Sequence, residues 1–196
     1  MKWLHCSTVL LLAVVSLLIP CNGYADAIAV SSINFSNLRI RPALGSVVFG
    51  GPWSAQGFAQ AQNTLGEGVA QFDFSAGGLA TANAAVTFAS AMGSADGGAL
   101  TGFASSNVNL TGLTTPVQGI SAGQGALFNT FMLTGGAGST TVDFAVLAAG
   151  LLRLITDASA IQATTQTSFT LQLDGNPVLF FSSSLAGGAN FNSTTP

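Results

Sequence analysis

The feature of this sequence that most restricts its fold is an alternation of apolar and polar residues with a period of two. In residues 161–173, Ile, Ala, Thr, Phe and Leu at the odd positions alternate with Gln, Thr and Ser at the even ones. Successive side chains of a β-strand point to opposite faces of a sheet, whereas a helix would mix the two sets. The run stops at Asp174-Gly175-Asn176-Pro177, which is typical of a turn, so residues 178–182 are expected to return as the second strand of a hairpin.

The same period recurs upstream, where alanine and glycine occupy alternate positions of residues 55–61, and alanine, valine and phenylalanine occupy alternate positions of residues 80–88. Glycine-rich breaks separate these runs at the spacing usual for sandwich strands. A change of apolar face near Ser36-Asn37 predicts a β-bulge in the first strand. Further strands are predicted at 32–40, 46–49, 126–134 and 140–149. Because no amphipathic helix is evident, we predict an all-β fold: an antiparallel two-sheet sandwich, jelly-roll-like, of about 8–11 strands.

Residues 1–27 have the organisation of a secretory signal peptide. Lys2 supplies the positive charge, residues 9–19 form an apolar run broken only by Ser16, and small residues follow. Eleven residues are too few to span a bilayer, which needs about 20. We predict cleavage after Ala27, with cleavage after Ala25 left open. The remaining residues, 28–196, are expected to form a single β-sandwich domain whose C-terminal tail, 186–196, is disordered or truncated.

A lipid anchor at Cys21 is the less favoured reading of the same segment, because the preceding residue should be small and is Pro20. Without an anchor the chain is predicted to be secreted, extracellular or at the cell surface. After the signal no apolar run is long enough to cross a membrane. The longest run, residues 144–155, contains Arg153 and predicts a buried strand or short helix.

The predicted mature chain lacks most of the side chains that perform chemistry. Residues 28–196 contain no histidine, cysteine, lysine or tyrosine, and their three arginines and six carboxylates leave a net charge of −3. General bases, nucleophiles and soft metal ligands are therefore scarce, and no basic patch exists to bind nucleic acid. We predict that the protein is not an enzyme and has no cofactor, no metal and no nucleic-acid partner.

Two acidic arrangements nevertheless admit a functional reading. Glu67 and Asp73 are close in sequence and would suit a glycosidase if their carboxyls faced each other, although solvated loop carboxylates are the more ordinary explanation. Asp174-Gly175-Asn176 resembles part of a calcium loop, but a calcium site needs six or more oxygen ligands, so a hairpin turn is the simpler interpretation.

A carbohydrate-binding surface is the second possible use of the sandwich. Trp53 is the only tryptophan of the mature chain, and Gln56 and Gln60 follow it with the spacing of one strand face. Exposed aromatic rings and neutral amides are the groups that contact sugars. We therefore name Trp53, Gln56 and Gln60 as candidate ligand-binding residues, while a packing role for Trp53 at the rim of the core remains the favoured alternative.

The chain also resembles a group of exported bacterial proteins, those that carry a Pro-Glu-Pro C-terminal sorting signal read by exosortases. The resemblance lies in the signal peptide followed by residues 33–38 (INFSNL), the low-charge middle, residues 125–129 (GALFN), and residues 169–175 (FTLQLDG) with 178–181 (VLFF). The sorting signal itself is missing, since the sequence closes at Thr194-Thr195-Pro196. The resemblance implies export, a β-rich fold and association with extracellular polysaccharide or biofilm, and it implies no catalytic residues.

These observations favour a non-enzymatic, secreted structural protein associated with the extracellular matrix or a biofilm. A carbohydrate-binding β-sandwich module is the alternative, and a carboxylate-based glycosidase is a distant one. The expected partners are extracellular polysaccharide or further copies of the chain, because low charge and long alternating strands favour pairing of sheet edges.

Overall fold

The computed structural model describes residues 27–112, 118–135, 140–156, 163–173 and 176–187. Within these ranges the chain forms twelve strands and no helix. The strands are β1 (Ala27–Pro42), β2 (Ser46–Phe49), β3 (Ser54–Asn63), β4 (Gly68–Ala76), β5 (Leu79–Val86), β6 (Ala89–Asp96), β7 (Thr101–Leu110), β8 (Gly119–Phe128), β9 (Phe131–Thr134), β10 (Val142–Thr156), β11 (Ala163–Leu173) and β12 (Asn176–Gly187).

Every strand pair is antiparallel. The predicted all-β antiparallel sandwich is confirmed. The larger sheet has the order β10-β1-β7-β6-β5, and a second sheet has the order β4-β3-β8. Two further pairs, β2-β9 and β11-β12, complete the described strands.

The interface between the two main sheets is built almost entirely from alanine and glycine. The buried positions of β3 are Ala55, Gly57, Ala59 and Ala61, and alternate residues of β5 and β6 face them. Strand β3 packs over β5 and β6, and β8 packs over β6 and β7. Alanine favours strands weakly on average, so the pairing here is determined by the fit of small side chains between two closely spaced sheets.

Glycine lines the closest approach of the two sheets. A Cβ atom added at Gly93 would lie 2.1 Å from the Gln124 carbonyl oxygen and 2.2 Å from that of Phe58. One added at Gly123 would lie 2.1 Å from the Met92 carbonyl oxygen. The backbones therefore meet directly, and a side chain of any size would separate the sheets.

The predicted bulge in β1 is confirmed. The register of β1 against β10 shifts between Ser36 and Arg39, and Asn37 adopts a φ of 56°. Asparagine tolerates this left-handed conformation better than most residues. Because the bulge adds one residue, Phe35 before it and Leu38 after it are both half-buried, and β1 keeps one apolar face along its whole length.

The prediction of one strand at 126–134 is wrong, since β8 ends at Phe128 and β9 begins at Phe131. The Asn129 side chain explains the interruption. Its Oδ1 accepts a hydrogen bond from the Thr130 amide at 2.7 Å, and its Nδ2 donates to the Gly51 carbonyl at 3.0 Å. These local bonds compete with the strand ladder. The short strand β9 then pairs with β2, which begins and ends as predicted.

The hairpin predicted from residues 161–173 and 178–182 is confirmed as the pair β11-β12. Asn176 and Pro177, predicted to belong to the turn, are the first residues of β12, while residues 161–162 and Asp174-Gly175 lie outside the described residues. Strand β12 continues to Gly187, so residues 186–187 of the predicted tail belong to a strand. Residues 188–196 and the predicted signal segment lie outside the described residues, except Ala27, which begins β1. The apolar run 144–155 is part of β10, but Leu147 and Leu151 on it are each 60% exposed rather than buried.

Candidate functional site

The outer face of the β4-β3-β8 sheet contains two of the three candidate ligand-binding residues. Gln56 and Gln60 lie on β3 two positions apart on this face, because the buried residues Ala55, Gly57 and Ala59 alternate with them. Register places Phe74 and Ala126 beside Gln56. The two glutamines thus lie on one face of the sheet with Phe58 between them.

The next rows of this face add aromatic rings and further amides. Phe58 stands between Phe72 and Gln124, and Gln62 stands between Gly68 and Ile120. We call this surface the aromatic–amide face. It comprises Ser54, Gln56, Phe58, Gln60, Gln62, Gly68, Ala70, Phe72, Phe74, Ala76, Ile120, Ala122, Gln124, Ala126 and Phe128.

The aromatic–amide face has no charged residue and presents large apolar groups to solvent. Phe72 is 61% exposed, Phe74 57% and Phe128 51%. Within the described residues, the side-chain amides of Gln56, Gln60, Gln62 and Gln124 make no hydrogen bond. An amide offers both donors and an acceptor, so the face combines flat apolar rings with uncommitted neutral hydrogen-bonding groups.

Trp53 is set apart from these residues. It immediately precedes β3 and is half-buried, with its ring centroid 5.5 Å from that of Phe49 at an interplanar angle of 56°. Its carbonyl oxygen accepts the Gly77 amide at 2.9 Å. The geometry corresponds to an aromatic pair at the end of the sandwich rather than to a member of the aromatic–amide face.

Phe72, Phe74 and Phe58 were missed as candidate residues by the sequence reasoning. The signal was present, because Phe58 shares the alternate positions of Gln56 and Gln60, and Phe72 and Phe74 occupy alternate positions of the next run. What the sequence lacks is the pairing of β4 with β3, which places Phe72 beside Phe58.

Asp73, one of the two candidate catalytic carboxylates, is held by backbone amides. Asp73 Oδ2 accepts the Thr81 amide of β5 at 2.8 Å, and its Oδ1 accepts the Phe74 amide at 2.9 Å. Strand β5 is the outermost strand of its sheet, so the Thr81 amide would otherwise lack a partner at this edge.

Glu67 makes an equivalent contact with Thr87, six residues after Thr81 and just beyond the end of β5. Its Oε2 accepts the Thr87 amide at 2.9 Å, and its Oε1 accepts the Thr87 hydroxyl at 3.0 Å. The Asn63 side chain also donates to Glu67. These hydrogen bonds, first from Asn63 and then from Thr87, hold the pKa of Glu67 below its ordinary value of 4.5.

Gln71 lies between the two acids and contributes in the same way. Its Oε1 accepts the Asn83 amide at 3.3 Å. Asp73 and Gln71 thus bind Thr81 and Asn83 of β5, and Glu67 binds Thr87 just beyond its end. Along this edge, side chains replace the ladder that a further strand would form. We call these three residues the edge clamp.

A groove of about 470 Å³ lies between β8 and strands β1 and β7 of the larger sheet. Its walls are the backbone of residues 121–127, and its floor includes Ser31, Ile33 and Phe35 of β1 with Ala104 and Ser106 of β7. The hydroxyls of Ser31 and Ser106 are 2.8 Å apart. The described residues that line the groove include no charged side chain.

Among the residues described, no group of three or more His, Cys, Asp or Glu side chains is placed to hold a metal ion. In the same residues no helix is both long and apolar enough to cross a membrane. No protein-family model matches the chain, and comparisons with curated proteins and with solved structures find no significant match.

Proposed function

We propose that the protein is a non-catalytic, exported structural component of the extracellular matrix or of a biofilm. The observation that supports this role most directly is the edge clamp. Both carboxylates considered for acid–base chemistry accept hydrogen bonds from backbone amides, Asp73 from Thr81 of β5 and Glu67 from Thr87 in the turn that follows β5, which gives them a structural role. The signal-like N-terminal sequence and the resemblance to exported bacterial proteins support export.

Fractionation of the producing cells tests this proposal. An antibody raised against the chain is expected to detect it in the extracellular matrix fraction, at a length consistent with removal of residues 1–27. Retention in the cytoplasm would contradict export. Turnover of a glycoside by the purified chain, abolished by Glu67→Gln or Asp73→Asn without loss of folding, would contradict the non-catalytic role.

A carbohydrate-binding module is the second candidate, and the aromatic–amide face favours it. Sugar rings present apolar C–H faces and many hydroxyls, which match exposed phenyl rings and amides with unused hydrogen-bonding capacity. A neutral polysaccharide fits better than a charged one, because no residue of the face carries a charge. Gln56 and Gln60 remain candidate contacts, whereas Trp53 lies to one side.

Titration with neutral polysaccharides separates the two candidates. If the face binds sugar, Phe72→Ala is expected to weaken binding by about 10-fold, corresponding to the loss of one aromatic contact. Phe181→Ala is the matched control, because Phe181 is 50% exposed on β12, outside the aromatic–amide face. Isothermal titration calorimetry measures both variants. Equal losses in both, or no saturable binding to any glucan tested, would leave only the structural role.

A further inference from the structure

Strand β10 forms an open edge of the larger sheet. Its 15 residues pair with β1 along one side, and β10 stands at the end of the order β10-β1-β7-β6-β5. Among the described residues no strand forms a ladder with its other side. Proteins commonly protect such an edge with a proline, a lysine or a bulge. Strand β10 has neither proline nor lysine, and the bulge of this pair lies in β1 at Asn37.

The opposite edge of the same sheet is protected. There the edge clamp accepts hydrogen bonds from the amides of Thr81 and Asn83 of β5 and of Thr87 after it. In the part of the chain that the structure describes, no side chain makes an equivalent bond to an amide of β10. The larger sheet therefore has one edge closed to strand pairing and one edge open to it.

The outer face of β10 presents a stripe of exposed apolar residues beside the open edge. Val146 lines the groove on the inner face, so the odd-numbered residues of β10 lie on the outer face. On that face Leu147 and Leu151 are each 60% exposed, and Ile155 is 42% exposed. Contact with another molecule along this edge would remove apolar area from water.

The two charged residues of β10 are arranged symmetrically about its centre. Asp143 and Arg153 stand five residues on either side of Ala148, and both are exposed. Both are odd-numbered and therefore lie on the outer face with the leucines. In an antiparallel pair of β10 strands centred on Ala148, each Asp143 would lie directly opposite Arg153 of the second copy. Because Arg41 of β1 lies on the other side of Asp143, this carboxylate would be placed between two guanidinium groups.

We propose that β10 pairs with β10 of a second copy of this chain, antiparallel and about a two-fold axis at Ala148. The pairing joins two five-stranded sheets into one continuous sheet and forms two charge pairs across the new interface. It also sets Leu147 opposite Ala149. Leu151 then lies opposite Ala145, so that in each case a large side chain meets a small one. The leucines of the two copies become diagonal neighbours on the outer face and shield one another from water.

The charges favour this register over its neighbours. Centring the pair on Ala149 would place Asp143 opposite Ile155 of the second copy, which separates the carboxylate from its countercharge. Centring it between two residues would pair outer-face with inner-face side chains and turn the leucines of the two copies to opposite faces. The register centred on Ala148 keeps the leucines together and sets opposite charges face to face.

The assembly closes at two copies. A two-fold contact uses the same surface of both chains, so pairing leaves no β10 edge free. The outermost strands of the joined sheet are then the two β5 strands, whose amides the edge clamp occupies. Lateral growth of the sheet therefore stops at a dimer. The pairing is a property of the purified chain and does not depend on export, so its failure would leave the proposed function standing.

Sedimentation velocity at low ionic strength tests the pairing with two charge-reversed variants of the full chain. Arg153→Asp sets carboxylates opposite each other at both ends of the interface, and Asp143→Arg sets guanidinium groups there. Each variant alone is expected to dimerise at least about 10-fold more weakly than the natural chain, since two attractive pairs become repulsive. An equimolar mixture of the two should dimerise as tightly as the natural chain, because in the mixed pair every carboxylate faces a guanidinium.

Arg39→Asp is the matched control. It reverses the same charge one strand in from the edge, where Arg39 pairs with Ala145, and dimerisation should match that of the natural chain. A natural chain that stays monomeric at about 1 mM would overturn the proposal. A mixture that associates no better than either variant alone would do the same, as would equal weakening by Arg39→Asp, which would assign the effect to net charge.

Cysteine cross-linking measures the register in the full chain with Cys6 and Cys21 replaced by serine. Ala148→Cys places the two introduced residues directly opposite each other, with Cα atoms about 4.5–5.5 Å apart, which a disulfide can bridge. Ala149→Cys makes them diagonal neighbours about 7–8 Å apart, beyond that reach. We expect disulfide-linked dimers to form at least about 10-fold faster at position 148 than at position 149. Equal rates, or faster linkage at 149, would refute the pairing centred on Ala148.

Discussion

At the scale of single residues, the absence of a side chain matters as much as its presence. Gly93 and Gly123 lie where carbonyl oxygens of the opposite sheet leave no room for a Cβ atom. A positive φ is not the reason for glycine at either position, since neither adopts a left-handed conformation. The requirement comes from the close contact of two backbones, and it makes these positions the most sensitive in the core.

Gly93→Ala is expected to destabilise the protein by about 3 kcal/mol or more, at the upper end of the usual cost of overpacking, because both clashing atoms are backbone oxygens that cannot rotate away. Gly51→Ala is the matched control, because an added Cβ there meets nothing within 4 Å. Urea unfolding monitored by circular dichroism measures both. Equal midpoints for the two variants would contradict direct contact of the sheets at Gly93.

Glu67 makes stability depend on pH. Because its pKa is lowered in the folded state, the ionised side chain stabilises the fold above 4.5, and this contribution is lost as the pH falls through the folded pKa. The difference in unfolding free energy between the natural chain and Glu67→Gln should therefore shrink between pH 6 and pH 3. Denaturant titrations across that range give the difference. A constant gap would show that the hydrogen bonds from Asn63 and Thr87 do not depend on the charge.

At the scale of elements, β4 and β5 are connected through side chains instead of a backbone ladder. The chain crosses from one sheet to the other at Gly77-Gly78, and the edge clamp then binds two amides of β5 and the amide of Thr87 in the turn after it. An exposed edge strand is a site for pairing with another molecule. The clamp occupies the donors that such pairing would use, so its side chains block pairing at this edge as well as stabilise the fold.

Combining Asp73→Ala with Gln71→Ala should expose the Thr81 and Asn83 amides. We expect a loss of about 1–3 kcal/mol, faster hydrogen exchange at residues 81–83 and a slow rise in light scattering at high concentration. Gln60→Ala with Gln62→Ala is the matched control on the outer face of β3. If scattering rises equally in the control, loss of polar surface rather than an open edge causes the association.

Several elements follow from the sequence alone because their signals are local. The hairpin β11-β12, strand β2 and the bulge at Asn37 depend on residues within one or two strands, and the structure has them as predicted. The break between β8 and β9 depends on Asn129 contacting Gly51, 78 residues away. A pattern of neighbouring residues contains no information about that distant carbonyl, so the sequence predicted one strand where there are two.

At the scale of the whole molecule, the distribution of charge limits solubility. The sequence has 4 basic and 7 acidic residues among 196, with a pI near 4.5. The aromatic–amide face adds exposed phenyl rings without charge. With few charges to keep molecules apart, mutual repulsion disappears near the pI.

Light scattering is therefore expected to rise as the pH approaches 4.5 from neutrality. A variant with Gln62→Glu and Gln124→Glu should move this onset to lower pH, because it places two carboxylates on the aromatic–amide face. Asn34→Asp with Asn109→Asp on the outer face of the larger sheet adds the same charge elsewhere and serves as the control. If both variants shift the onset equally, net charge alone governs association; a larger shift for the first identifies the aromatic–amide face as the contact.

By itself the sequence determined the period of two, the small residues of each inner face and the scarcity of groups for catalysis, because each is a property of residues close together in the chain. Only the tertiary structure decided that Phe72 lies beside Phe58, that Asp73 binds Thr81 of β5 and Glu67 binds Thr87 just after it, and that a groove lies between β8 and strands β1 and β7. The physical reason is that pairing and stacking of strands join residues far apart in sequence, and the fit of two whole sheets selects them.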